Sequence, residues 1–138
     1  MERWVEAFSR LWAGGRPNAE LLVNLLGPEI HLVAPGLRST RGREAALQAF
    51  RKTFDVLPDL TGVVHRWSAS GDVLFLEMTF RATIGGAQVQ WHSVDRVLFR
   101  DGVAVERVAF FNPLQVRRAF LRNPLGWMQL LRRLITRL

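Results

Sequence analysis

Asp95 and Arg107 are the two residues of this chain whose types and placement could do chemistry together. Each lies in a run that alternates apolar with mixed residues. Counting back from Arg100-Asp101-Gly102, read as a three-residue loop with Gly102 left-handed, sets them directly opposite on neighbouring antiparallel strands. A carboxylate beside a guanidinium keeps its charge more readily than it serves as a neutral donor. It could therefore act as a base, or hold the arginine ready for a ligand anion. The same pair could equally be an inert buried ion pair that fixes register. His65 is the next candidate. A two-residue turn at Ser70-Gly71 sets it beside Leu76, in the same row as Asp95, whereas a three-residue turn sends it to the other face. Its alternation with Val63 and Trp67 favours the inward placement, where it could be a second acid/base or a hydrogen-bonded core histidine. His92, and with it His31, is expected to face away. The three histidines and nearby acids show no ligand spacing, so no metal site is expected. No phosphate loop, nucleophile elbow or RNA-stacking motif is present, and any chemistry is expected to need no cofactor.

The stretch 72–112 must position these groups. Leu74, Leu76, Met78, Phe80, Ala82 and Ile84 alternate with mixed residues, which predicts a strand with one apolar face. Gly85-Gly86 suits a two-residue primed turn that sets Ala82 opposite Val89, Phe80 opposite Trp91, Met78 opposite Ser93 and Leu76 opposite Asp95. The second turn sets Val97 opposite Val105, Ser93 opposite Ala109 and Trp91 opposite Phe111. Both registers gather Met78, Phe80, Trp91, Ser93, Val97, Val103, Val105, Ala109 and Phe111 on one greasy face around the acid and the arginine. A one-residue slip would scramble it. Of these, Met78, Phe80, Trp91, Ser93, Val97, Ala109 and Phe111 are the candidate ligand-binding residues.

Upstream, Trp4, Val5, Phe8, Leu11 and Trp12 fall at helical spacing within 2–13, and Trp12 could close the mouth of a pocket. Asn18 could cap a short helix over 19–26. A strand is expected over 29–34, a helix from Gly42 to before Pro58 with Leu47, Phe50 and Phe54 on one face, and a strand over 61–69. This order predicts an α+β fold, with helices on one side of a curved sheet.

The 138 residues suit one domain with a sizeable core, and 49% apolar against 22% charged residues is an ordinary globular balance. No cysteine is present, which excludes thiol chemistry and a disulfide framework. The net charge of +7 invites a nucleic-acid reading until it is located. From Leu114 onward there are six arginines and no acids, which leaves 13 basic and 12 acidic residues in a nearly neutral body. No nucleic-acid partner is expected. The opening residues carry acids and lack a signal-peptide core, which predicts a cytoplasmic protein. The expected division is a domain over 1–113 and a basic amphipathic extension over 114–138. In the extension, Trp127, Leu130, Leu131, Leu134, Ile135 and Leu138 share a face away from Arg132, Arg133 and Arg137. That face could cover the sheet or a partner, or 125–138 could lie on anionic lipid.

The element order, with PGLRSTRGREAALQAF, PDLTGVVHRW, SGDVLFLEMTF and VDRVLFRDGVAVERVAFFNP, resembles the SnoaL-like branch of the nuclear transport factor 2-like superfamily, which includes ketosteroid isomerases, polyketide cyclases and limonene-epoxide hydrolases. The resemblance covers about 1–113. It implies a cone-shaped, curved mixed sheet packed against N-terminal helices, with a pocket at the open end and the basic tail as an addition. It places the isomerases' oxyanion-hole aspartate on Asp95. Their general-base aspartate falls on Ala34, however, and this chain has no tyrosine for their second oxyanion donor. The epoxide hydrolases' water-activating aspartate falls near Ala109. Neither of these catalytic sets is complete.

Two functions follow as expectations. One is a pocket that binds an apolar small molecule, as an isomerase, cyclase or hydro-lyase on a carbonyl compound, with Asp95, Arg107 and His65 carrying the chemistry. The other is a non-catalytic module whose cone is filled by its own side chains. The mixed outer sheet face, where Arg96 is expected opposite Glu106, suggests a homodimer in either case. An open cavity of several hundred Å³ separates the two.

Overall fold

The computed structural model describes residues 1–14, 21, 24–123, 125 and 128. Among the described residues nine elements follow in order: α1 (Glu2–Trp12), β1 (Leu26–Val33), β2 (Thr40–Arg41), α2 (Arg43–Val56), β3 (Thr61–Ser70), β4 (Val73–Ile84), β5 (Ala87–Arg100), β6 (Val103–Phe110) and α3 (Pro113–Arg122). The six strands form one mixed sheet in the order β2-β1-β6-β5-β4-β3, with β1 parallel to β6 and every other pair antiparallel. This is the expected α+β architecture, with helices against a curved sheet.

The helices form because their apolar residues recur on one face. In α1, Trp4, Val5, Phe8, Leu11 and Trp12 are buried, and Trp4 Nε1 donates to Leu25 O at 2.9 Å. In α2, Ala46, Leu47, Phe50 and Phe54 are buried. Asn112 caps α3 by accepting from Leu114 N at 3.0 Å, with Pro113 at the first turn where its missing N–H costs nothing. Phe120 of α3 joins the core. Leu26, expected at the end of a helix, instead opens β1. Half of that expected helix, positions 19, 20, 22 and 23, lies outside the described residues, and so does most of the expected tail helix, including Trp127 and 129–138. Among the described residues no helix is long and apolar enough to cross a membrane.

The β4–β5 register is as expected, with Phe80 opposite Trp91, Met78 opposite Ser93 and Leu76 opposite Asp95. Gly85 and Gly86 both take positive φ, 60° and 83°, as a primed hairpin requires. The β5–β6 register differs. Asp101 and Gly102 form the turn alone, with φ of 52° and 78°, and a bulge follows where Leu98 pairs with Glu106 but Phe99 with Ala104. Arg107 therefore lies opposite Val97, and Asp95 opposite Ala109. Ala104, rather than Val103 or Val105, is the buried residue beside Phe99. Arg96 lies opposite Val108 instead of Glu106, yet still pairs with Glu106 at 2.5 Å.

The concave face is sealed closely near Gly62. A Cβ there would come within 2.8 Å of the Phe80 ring and 3.0 Å of Trp12 Cβ, so only glycine lets β3 pass under α1.

Candidate ligand-binding site

Asp95 is fully buried, at 0% exposure, and its carboxylate is completely engaged. Oδ2 accepts from Arg107 Nε at 2.7 Å and stands 2.5 Å from Arg107 Nη2, while Oδ1 accepts from Ser93 Oγ at 2.8 Å. The two side chains meet diagonally across the β5–β6 ladder, a reach that an arginine spans easily. The guanidinium is also held among rings, with its carbon 5.3 Å from the Phe8 centroid, 5.8 Å from Phe50 and 6.0 Å from Trp12. Such stacking favours a cation most where water is excluded. α1, α2 and the sheet thus fix one arginine from three sides.

Beyond Arg107 lies a cavity of about 320 Å³. That is room for about ten waters, at the lower end of small-molecule pockets. Of the expected ligand-binding residues, Trp12, Phe80, Trp91, Ser93, Ala109 and Phe111 line it. Met78 and Val97 do not; both are fully buried in the core beneath the wall. Asp95 does not reach the cavity either: Arg107 and Ser93 stand in front of it. The described lining contains no carboxylate and no imidazole.

His65 is a correction. It lies on the outer face, exposed, where its Nε2 is 2.7 Å from Thr79 Oγ1, which is in turn 3.0 Å from His92 Nδ1. The turn is formed by Gly71-Asp72, with Ser70 opposite Val73, and this alone would keep His65 on the inner side. A bulge between Val64 and Arg66 reverses it, leaving Trp67 opposite inward Leu76 while His65 turns outward. His92 faces away from the cavity, as expected. No group of three or more potential metal ligands occurs among the described residues.

Several wall residues were not foreseen: Ala34 to Leu37 after β1, Thr53, Val56 and Leu57 of α2 and its end, and Val116, Arg117 and Phe120 of α3. Thr53 and Leu57 sit three and seven positions after Phe50, so the helical period carried a signal for them. The α3 contribution carried none, because it depends on where the chain returns after β6.

Comparisons with known proteins agree with this architecture. The model of the SnoaL-like domain matches residues 2–107. No curated protein matches the chain. A candidate SnoaL-like polyketide cyclase from Jannaschia sp. CCS1 superposes with a TM-score of 0.74 at 19% identity, covering 86% of this chain and 91% of that one. An LEH-like epoxide hydrolase of M. tuberculosis gives 0.71 at 21% identity, covering 91% and 92%. TerC, co-crystallised with polyporic acid, gives 0.73 at 18% identity, covering 86% and 95%. At these identities the likeness is one of fold.

Proposed function

The chain belongs to the SnoaL-like domain family, and from that premise we propose that it binds an apolar, oxygen-bearing small molecule in the cone, oriented by Arg107. The observation that carries this reading is an arginine, 13% exposed, presented to a mainly apolar cavity of about 320 Å³ by a fully buried aspartate. A filled cone would have favoured a purely structural module. Asp95 acts here as a positioning residue. It uses one edge of the guanidinium, Nε and Nη2, and has no line of contact to the ligand except through Ser93 Oγ. Arg107 polarises a ligand carbonyl or holds a carboxylate, while Phe80, Trp91 and Phe111 take the apolar body. Any proton transfer to the aspartate would pass by way of the Ser93 hydroxyl. The fold neighbours include proteins described as a candidate cyclase and an epoxide hydrolase, and the reading fits turnover of a carbonyl compound without requiring it.

Calorimetric titration with 2-naphthoate tests this. The wild-type chain is expected to bind it, and Arg107→Lys, which keeps the charge but loses the planar fork, is expected to bind about tenfold more weakly. Equal affinity in the two proteins would remove Arg107 from the site.

The same reading includes a homodimer through the outer sheet face, where Val63, Phe75, Val94 and Phe110 are each 43–57% exposed. Sedimentation at micromolar concentration should give twice 15.8 kDa, and Val94→Glu with Phe110→Glu should give the monomer. A wild-type chain that sediments as a monomer would refute the dimer.

A further inference from the structure

Among the described residues two buried side-chain polar atoms have no hydrogen-bond partner, Trp12 Nε1 and Thr40 Oγ1. Such groups are rare in folded proteins, because each gives up its hydrogen bonds to water and receives nothing in return. Both belong to residues that border a cavity. Trp12 forms part of the wall of the 320 Å³ cavity, and Thr40 lines a second chamber of about 90 Å³. Ala34, Leu37, Phe50, Thr53 and Arg107 line both, so the chambers adjoin, with the arginine between them.

The smaller chamber has a definite chemistry. It holds about three waters' worth of space, enough for a carboxyl group and too little for a ring. Its described wall carries Arg38 and Arg107 and no acid. Thr53 Oγ1 already donates to Ala49 O at 2.9 Å, which leaves Thr40 as the uncommitted hydroxyl. The Arg107 edge turned from Asp95 retains Nη1 as a donor. The described side chains of this chamber thus offer two guanidinium groups and a free hydroxyl, and no carboxylate.

We propose that the smaller chamber receives an oxygen acceptor of the ligand, a carboxylate or carbonyl, held by Thr40 Oγ1 and Arg107. A second ligand oxygen takes the Trp12 N–H. This rests on the ligand-binding reading above and narrows it: the ligand is an apolar compound carrying at least two oxygens, one of them terminal. It also assigns Thr40, on the two-residue strand β2, as a specificity residue.

The test uses the full chain, NMR titrations with naphthalene, 2-acetylnaphthalene, 2-naphthoate and 6-hydroxy-2-naphthoate, and the near-isosteric variant Thr40→Val. The wild type should bind the acetyl compound or the acid at least tenfold tighter than naphthalene; preference between those two identifies carbonyl or carboxylate. The 6-hydroxy acid should gain further, and that gain should vanish in Trp12→Phe. Thr40→Val should lose about tenfold for the oxygenated compounds and nothing for naphthalene. Without ligand it should melt at or above the wild-type temperature, because an unpaired buried hydroxyl has been removed. Naphthalene binding that oxygen does not improve, or a ligand-free Thr40→Val that melts lower, overturns this assignment and leaves the pocket reading standing. Failure of all four compounds to bind the wild type overturns both.

Discussion

Arg107→Met is expected to lower the stability of the fold by about 3–5 kcal/mol, a large share of what a domain of this size holds. The cause is what it leaves behind. Asp95 is fully buried, and its carboxylate would keep the single donor Ser93 Oγ in place of three. The methionine itself fits, since the space between Phe8, Trp12 and Phe50 suits a flexible apolar chain. The penalty is thus electrostatic, and urea unfolding of the two proteins measures it. A loss below about 1 kcal/mol would mean that Asp95 finds another partner or reaches water.

The second large effect separates structure from function. Asp95→Leu combined with Arg107→Met removes both charges, and replacing a buried ion pair by apolar residues of similar volume is often neutral or stabilising. The double variant should recover most of the stability that Arg107→Met loses. Its affinity for 2-naphthoate should nevertheless fall about 100-fold, because the guanidinium that Asp95 aims at the carboxylate is gone, and Arg117, the other arginine of the wall, is exposed on α3. If stability and binding return together, the pair only holds strands in register. If stability returns without binding, the fold carries a costly charge pair for the ligand's sake. A double-mutant cycle with Asp95→Leu alone completes the comparison.

How legible this site was depends on the turns. Gly85-Gly86 named its own conformation, so every pair from Val73–Leu98 to Ile84–Ala87 follows from two residues. At the next hairpin the turn is one residue shorter than expected and β6 then bulges by one. The two single steps add to a shift of two, and because strand faces alternate with period two, Arg107 and Ala109 stayed on the foreseen face. Ala104 did not, since it lies on the turn side of the bulge. His65 shows the opposite outcome. Its turn also shifted the pairing by two, but one bulge, at His65 itself, turned it outward. Bulges serve the curvature of the whole sheet and have no fixed local composition, so no reading of 61–69 alone would place this one. The fold was legible because helical and strand periods are strong signals over ten residues or more. Which residue stands in front of Asp95 was not, because the diagonal reach of an arginine depends on register to within one residue.

A crystal of the full chain grown with 2-naphthoate tests the central claim most directly. The account predicts density for the naphthyl rings against Phe80 and Trp91, with the carboxylate within hydrogen-bonding distance of Arg107 and pointing toward Thr40. Arg107 should still hold Asp95 through Nε and Nη2. A cavity that stays empty of the compound, or a carboxylate lodged elsewhere with Arg107 untouched, would contradict it.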